Sequence, residues 1–253
     1  MTTTTYANTP TKTVVVGDAT FSYRELGGGT GVPVIFLNHL AAVLDNWDPR
    51  VVDGIATTHH VVAFDNRGVG ASSGKTPDTV AAMARDAIAF IRALGFDRVD
   101  LLGFSLGGMI AQEIVTRQPQ LVRKLILAGT GPAGGVGIDK VTRVTIGDTV
   151  TALLTGKDPK ENLFFTRTAH GKSEAKKFVA RLKERTSPVD LSGIRQPVFV
   201  ANGDDDRMVP TSNSHDLARQ LPNAQLKIYP DAGHGGIFQF HDEFVGEALA
   251  FLV

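Results

Sequence analysis

The sequence predicts an α/β fold: a mostly parallel, doubly wound sheet of about eight strands, with a short helical insertion ahead of one of its last strands. Three observations lead there. Short apolar runs of strand length alternate with stretches whose apolar residues recur at helical spacing. The first two strand-like segments are joined by a two-residue turn. One long stretch, residues 129–196, has helical pattern and no strand signal. Residues 1–253 read as a single domain, with a helical lid inserted at about 131–190.

Taken in order, KTVVVGDATFSYREL (12–26) is a hairpin turning at Gly17-Asp18. PVIFLN (33–38) and HVVAFD (60–65) are continuous apolar runs, as expected of strands buried on both faces. Between them Asp48 can cap a short helix that starts at Pro49. In 78–94, Val80, Met83, Ala87, Ile88, Ile91 and Leu94 form one helical stripe, and Gly95 can end it. RVDLLGF (98–104) is a strand, 106–118 a helix stopped before Pro119, and RKLILAG (123–129) another strand. PVFVANG (197–203) and AQLKIYP (224–230) are further strands around a helix at 212–221, and a helix at 242–252 closes the chain. Within the insertion, 147–154, 158–165 and 173–185 read as helical pieces, the second with an Asp158/Glu161 capping-box pattern.

Composition narrows the function classes. Of 253 residues, 42% are apolar and 21% charged, enough for one large core or two small ones. Twenty-six basic residues balance 26 acidic ones, so neither nucleic acid nor an anionic membrane is expected as the main partner. With no cysteine there is no disulfide framework, thiolate metal site or cysteine nucleophile. The start, MTTTTYANTP, has neither a basic segment nor an apolar one, so a secretory signal is not expected and a cytoplasmic location is. No apolar run approaches the roughly 18 residues that span a bilayer.

Two glycine-rich segments imitate nucleotide sites. GVGASSGKT (68–76) follows a strand, but the glycine a P-loop needs five positions before Gly74 is Val69, and Pro77 and Asp78 follow Thr76 where a phosphate-binding helix would already run. GTGPAG (129–134) fits a dinucleotide fingerprint in letters, yet Pro132 and the following glycines cannot open the required helix.

GFSLGG (103–108) is different. It is G-x-S-x-G between a strand and a helix, where a sharp turn projects the Ser105 hydroxyl and the glycines leave room for neighbouring backbone. A serine nucleophile needs a base. Among 7 histidines, His59, His60, His170, His215 and His241 lie at a strand entrance, in the lid or in helical stretches. His234, in DAGHGG after a strand, is the candidate. An acid should orient the imidazole. GDDDRMVP offers Asp204, Asp205 and Asp206 at the carboxyl end of another strand, and the chain order Ser, Asp, His fits.

With these motifs in place, the chain resembles the α/β-hydrolase-fold serine hydrolases, in their esterase and enol-lactonase-like branch, from about Val14 to Leu252. DNRGVGASS resembles the family's D-x-R-G-x-G-x-S turn, which makes 68–76 a structural loop. GDDDRMVP resembles its G-x-x-D-x-x-x-P, which singles out Asp206, and DAGHGG its G-H turn. The resemblance implies an oxyanion hole from the backbone N–H groups of Leu106 and Leu40; Asn38-His39 stands where the family usually has His-Gly. No metal or cofactor is implied.

The expected chemistry is cleavage of carboxylic esters of small to medium, fairly apolar substrates through an acyl-serine. Lactone hydrolysis, C–C bond hydrolysis and perhydrolysis share the same triad and stay open. A non-catalytic ligand-binding protein on this fold is the reading from another class. Pocket candidates are Phe104, Trp47, His39, Met208 and Ile237, with Phe164 and Phe165 from the lid. The expected partner is a small-molecule ester or lactone, with no nucleic acid or membrane and the oligomeric state left open.

Overall fold

A computed structural model describes residues 4–40, 42–134 and 187–253. The strands are β1 (Lys12–Val16), β2 (Ala19–Leu26), β3 (Val34–Leu37), β4 (Val61–Phe64), β5 (Val99–Phe104), β6 (Val122–Ala128), β7 (Val198–Gly203) and β8 (Ala224–Tyr229). The helices are α1 (Pro49–Ala56), α2 (Val80–Ala93), α3 (Leu106–Arg117), α4 (Ser212–Gln220), α5 (Gly236–Gln239) and α6 (His241–Leu252). The strands form one sheet in the order β1-β2-β4-β3-β5-β6-β7-β8. β1 and β2 pair antiparallel, as do β2 and β4; every later pairing is parallel.

The register of the first hairpin, Val16 opposite Ala19, leaves Gly17 and Asp18 as the two-residue turn, with Gly17 at φ 61°. β3 and β4 are buried at every position, because helices cover both faces. Alternation divides their side chains: Ile35 and Leu37 join the core under α2, α3 and α4, while Val34 and Phe36 join the core under α1, α5 and α6. Each fully buried Ile, Leu or Phe contributes roughly 1.5–3 kcal/mol.

Boundaries shift slightly from the sequence expectation. α2 starts at Val80, not 78, because the Thr79 hydroxyl accepts from Ala82 N–H and caps it. α1 is capped as expected, Asp48 accepting from Arg50 N–H ahead of Pro49. The short helix α5, directly after the His234 loop, has no counterpart in the expected elements. Most of the insertion, with the helical pieces at 147–185, lies outside the described residues.

The 65–76 loop is a structural turn, and the hydrogen bonds give the reason. Asp65 is buried and its two oxygens accept from Leu44 N–H (2.8 Å) and Ala71 N–H (3.0 Å). The Gly68, Val69, Ser72 and Ser73 amides are bonded to Ser73, Asn66, Val69 and Thr20 carbonyls. Donors that would cradle a phosphate are thus already satisfied beside a carboxylate. Gly70, at φ 57°, lies so close to Asp65 that a Cβ there would overlap the carboxylate.

Candidate active site

The turn from β5 into α3 carries Ser105 at φ 55°, ψ −116°. Positive φ in a non-glycine residue is strained by roughly 1–3 kcal/mol, so the surroundings must enforce it. They do. Ser105 N–H donates to Ala128 carbonyl (2.9 Å), and the Ser105 carbonyl accepts from Thr130 Oγ1 (2.7 Å) and Gly108 N–H (3.0 Å). A Cβ at Gly103 would strike the Gly107 carbonyl, one at Gly107 the Leu37 carbonyl, and one at Gly108 the Thr130 side chain. The glycines let the start of α3 press against the ends of β3 and β6. Leu106 is the first residue of α3, where the N–H has no partner within the helix.

Asp206 follows β7, its side chain fully buried. One oxygen accepts from Met208 N–H (2.9 Å) and Val209 N–H (2.8 Å); the other lies 2.8 Å from His234 Nδ1. Its neighbours do other work: Asp205 is exposed and pairs with Arg207, and Asp204, also exposed, accepts from Ala232 N–H. A Cβ at Gly203 would collide with the Ala232 and Gly233 carbonyls, so the 230–236 loop lies directly against the end of β7. The His234 ring packs 5.0 Å from the ring of Phe104, the residue before Ser105. A Cβ on Gly129 would meet both Phe104 and the His234 carbonyl. The imidazole therefore sits over the carboxyl ends of β5 and β6, beside the elbow.

The loop after β3 holds His39 and Leu40. His39 lies edge-on to Phe104, with ring centres 5.5 Å apart, and its Nδ1 is 3.0 Å from the Leu40 carbonyl. That contact assigns the proton to Nδ1. Burial and the nearby His234 push its pKa down to about 4, against a weaker opposing pull from the Leu40 carbonyl, so the ring is neutral at pH 7. Leu40 is half-buried and packs on the core.

Of the other pocket candidates, Trp47 and Ile237 are 4% and 1% exposed and belong to the apolar cluster beneath the site. Trp47 packs edge-on against Phe36 (4.9 Å) and Phe238 (6.2 Å). Met208 is half-buried next to Asp206. Phe164, Phe165 and His170 lie outside the described residues. His59 and His60 are engaged elsewhere, with the Thr58 hydroxyl and Glu25.

The sequence reading assigned no supporting role to several residues that hold the site together. Asn38, fully buried, donates to the Phe64 carbonyl (2.9 Å) and accepts from the Trp47 indole N–H, tying the Leu40 loop to β4. Asn202 plays a similar part near the end of β7, donating to Ser214 Oγ (3.1 Å) and accepting from Gly203 N–H (2.9 Å). Phe238 of α5 packs against Phe104 at 5.0 Å. The available signal was an asparagine closing or ending an otherwise apolar strand.

A doubly wound sheet with a serine elbow and a His–Asp pair on its carboxyl rim is the architecture of a hydrolase. The chain belongs to the alpha/beta hydrolase fold family, whose model matches residues 32–146 and 154–240. It is 31% identical over 228 residues to the "Putative carbamate hydrolase RutD" of Rhizobium rhizogenes, covering 81% of this chain and 87% of that one. An alpha/beta hydrolase fold protein from Chitinophaga pinensis superposes with a TM-score of 0.80 at 36% identity, over 98% of this chain and 99% of that chain. The enol-lactonase from Burkholderia xenovorans LB400 shares the fold, with a TM-score of 0.77 at 20% identity over 95% and 99% of the two chains.

Proposed function

We propose that this protein is a serine hydrolase that cleaves carboxylic esters of small to medium, fairly apolar substrates through an acyl-serine intermediate. The observation that carries the reading is the His234 Nδ1 to Asp206 Oδ2 contact of 2.8 Å, set over an elbow that forces Ser105 to positive φ. With the buried carboxylate accepting from Nδ1, the imidazole keeps its proton there and offers Nε2 as a base.

In the proposed reaction, His234 Nε2 takes the Ser105 hydroxyl proton as Oγ bonds to the substrate carbonyl carbon. The oxygen becomes an oxyanion, which the Leu106 and Leu40 N–H groups stabilise at the amino end of α3. Collapse breaks the bond to the leaving alkoxide, which receives the proton from His234. Water then repeats the sequence: His234 removes its proton, hydroxide adds to the acyl carbon, and Ser105 leaves reprotonated. Asp206 orients the ring and balances its charge throughout. Phe104 packs against both His234 and His39 and is backed by Trp47 and Phe238, an apolar setting that suits an uncharged acyl group.

A second reading is carbamate hydrolysis, favoured by the relative named for that activity at 31% identity. The same residues would act, with a carbamoyl-serine in place of the acyl-serine. The test is a panel of p-nitrophenyl acetate, butyrate and N-methylcarbamate, run with wild type and Ser105→Ala, together with fluorophosphonate labelling. Ester turnover and labelling that both vanish in Ser105→Ala are expected. Carbamate turnover well above ester turnover transfers the assignment to the second reading. Absence of both turnover and labelling in wild type overturns the enzyme.

A further inference from the structure

The amino ends of three strands, β5, β6 and β7, border a wide, solvent-open cavity of about 490 Å³ that the candidate active site does not use. Arg98, Gln120, Arg123, Arg195 and Gln196 are among its lining residues. Arg98 stands just before β5, Gln120 and Arg123 flank the start of β6, and Arg195 and Gln196 lead into β7. Arg98 immediately precedes β5 and Ser105 immediately follows it, so the two sites lie about 20 Å apart along the strand, at opposite rims of the sheet.

The cavity has an excess of positive charge. Among the described residues no carboxylate lines it. Asp100 lies behind it, fully buried, with both oxygens on Arg123 (3.0 and 2.6 Å). Arg123 also donates to the Leu252 carbonyl (2.6 Å), so its guanidinium is held in place and neutralised. Arg98 and Arg195 are exposed and make no ion pair among the described residues. Asp97, next to Arg98, pairs with Arg92. Asp190 feels the charge of Arg195, but its Oδ1 is engaged by the Ser192 N–H and hydroxyl. The backbone of the rim is braced: Gln196 donates to the Pro119 carbonyl (2.8 Å) and Asn223 to the Arg195 carbonyl (2.7 Å).

We propose that this cavity is an anion site that takes a small phosphate-bearing molecule between the guanidinium groups of Arg98 and Arg195. Guanidinium forks match phosphate oxygens in pairs, and two forks without an ion-pair partner among the described residues suit a dianion better than a single carboxylate. The volume exceeds what inorganic phosphate needs and leaves room for the organic part of a phosphate monoester. A zero net charge over the chain conceals this local excess.

The test is calorimetric titration of the full chain with inorganic phosphate and with phenyl phosphate, in wild type, Arg98→Gln, Arg195→Gln and the double variant. Saturable binding, tighter for phenyl phosphate, is expected. Each single variant should weaken it several-fold and the double variant about tenfold or more, with melting temperature and p-nitrophenyl ester turnover unchanged. Absence of saturation, equal binding in the double variant, or the same heat from sodium chloride at matched ionic strength overturns the proposal. Pelleting with phosphatidylglycerol vesicles but no binding of either free phosphate also overturns it, in favour of a lipid surface. The readout is binding, and Ser105→Ala should bind equally well, so the outcome is independent of the hydrolase reading.

Discussion

His234 Nδ1 lies 2.8 Å from one oxygen of Asp206, while the other oxygen is held by the Met208 and Val209 N–H groups. The carboxylate is thus fixed from its own loop independently of the histidine, and it sets the orientation and tautomer of the imidazole.

Asp206→Asn should keep the carboxamide oxygen on the Met208 and Val209 amides while setting an NH₂ group against His234. The wrong tautomer follows, and kcat/KM for p-nitrophenyl butyrate should fall about 10³–10⁴-fold with little change in thermal unfolding. Ser105→Ala and His234→Ala should each lose comparable activity, and their combination no more than either alone. Fully additive losses in the double variant would show that the two side chains do not act as one unit.

The lowered pKa of His39 makes stability depend on pH. Its folded value is about 4 against an ordinary 6.5, so between those values the unfolded chain holds a proton that the native chain does not. The contribution is complete above pH 6.5 and is lost as the pH falls towards 4, an effect on the order of 3 kcal/mol. Urea unfolding from pH 4 to 7 should show a steeper acid loss for wild type than for His39→Gln. Parallel curves would place the ring in water.

Gly107→Ala and Gly17→Ala separate two uses of glycine. At Gly107 a Cβ meets the Leu37 carbonyl, so α3 must withdraw from β3, at about 3 kcal/mol or more and with loss of esterase activity. At Gly17 a Cβ meets nothing, and only the positive φ is strained, at about 1 kcal/mol, leaving activity intact. Chemical denaturation and kcat measured on both variants check the contrast.

Asn38 and Trp47 should be coupled. Trp47→Phe leaves the Asn38 oxygen without its indole donor, at about 1–2 kcal/mol. Asn38→Ala strands the indole N–H and the Phe64 carbonyl and leaves a small cavity, costing about 3 kcal/mol. In a double-mutant cycle the two should show an interaction of about 1 kcal/mol, and Asn38→Ala should lower kcat through the Leu40 loop more than it raises KM.

Much of the fold could be read in advance, because strands covered on both faces must be apolar throughout and their covering helices must show a stripe. That is why β3, β4 and β5 emerged from local pattern, as did the N-cap of α1. α5 did not: four residues are too few to show a period, and the helix exists because Phe238 and Ile237 find partners in Phe104 and the core. The structural roles of Asn38, Asn202 and Thr130 were likewise not legible in advance, since their partners include groups contributed by distant segments.

On its own, the chain determined the strand and helix alternation, the elbow around Ser105 and the small set of candidate partners, all of which depend on neighbours within a few residues. Asp206 was singled out of three consecutive aspartates by motif, but the tertiary structure alone decided how its carboxylate meets His234, how tightly the glycines of the elbow are pressed, and that His39 is neutral. Those depend on groups 28 or more positions apart in the case of Asp206 and His234, brought together at one rim by parallel strands. A contact between residues that far apart has no signature in local sequence, because its energy exists only once the sheet has formed.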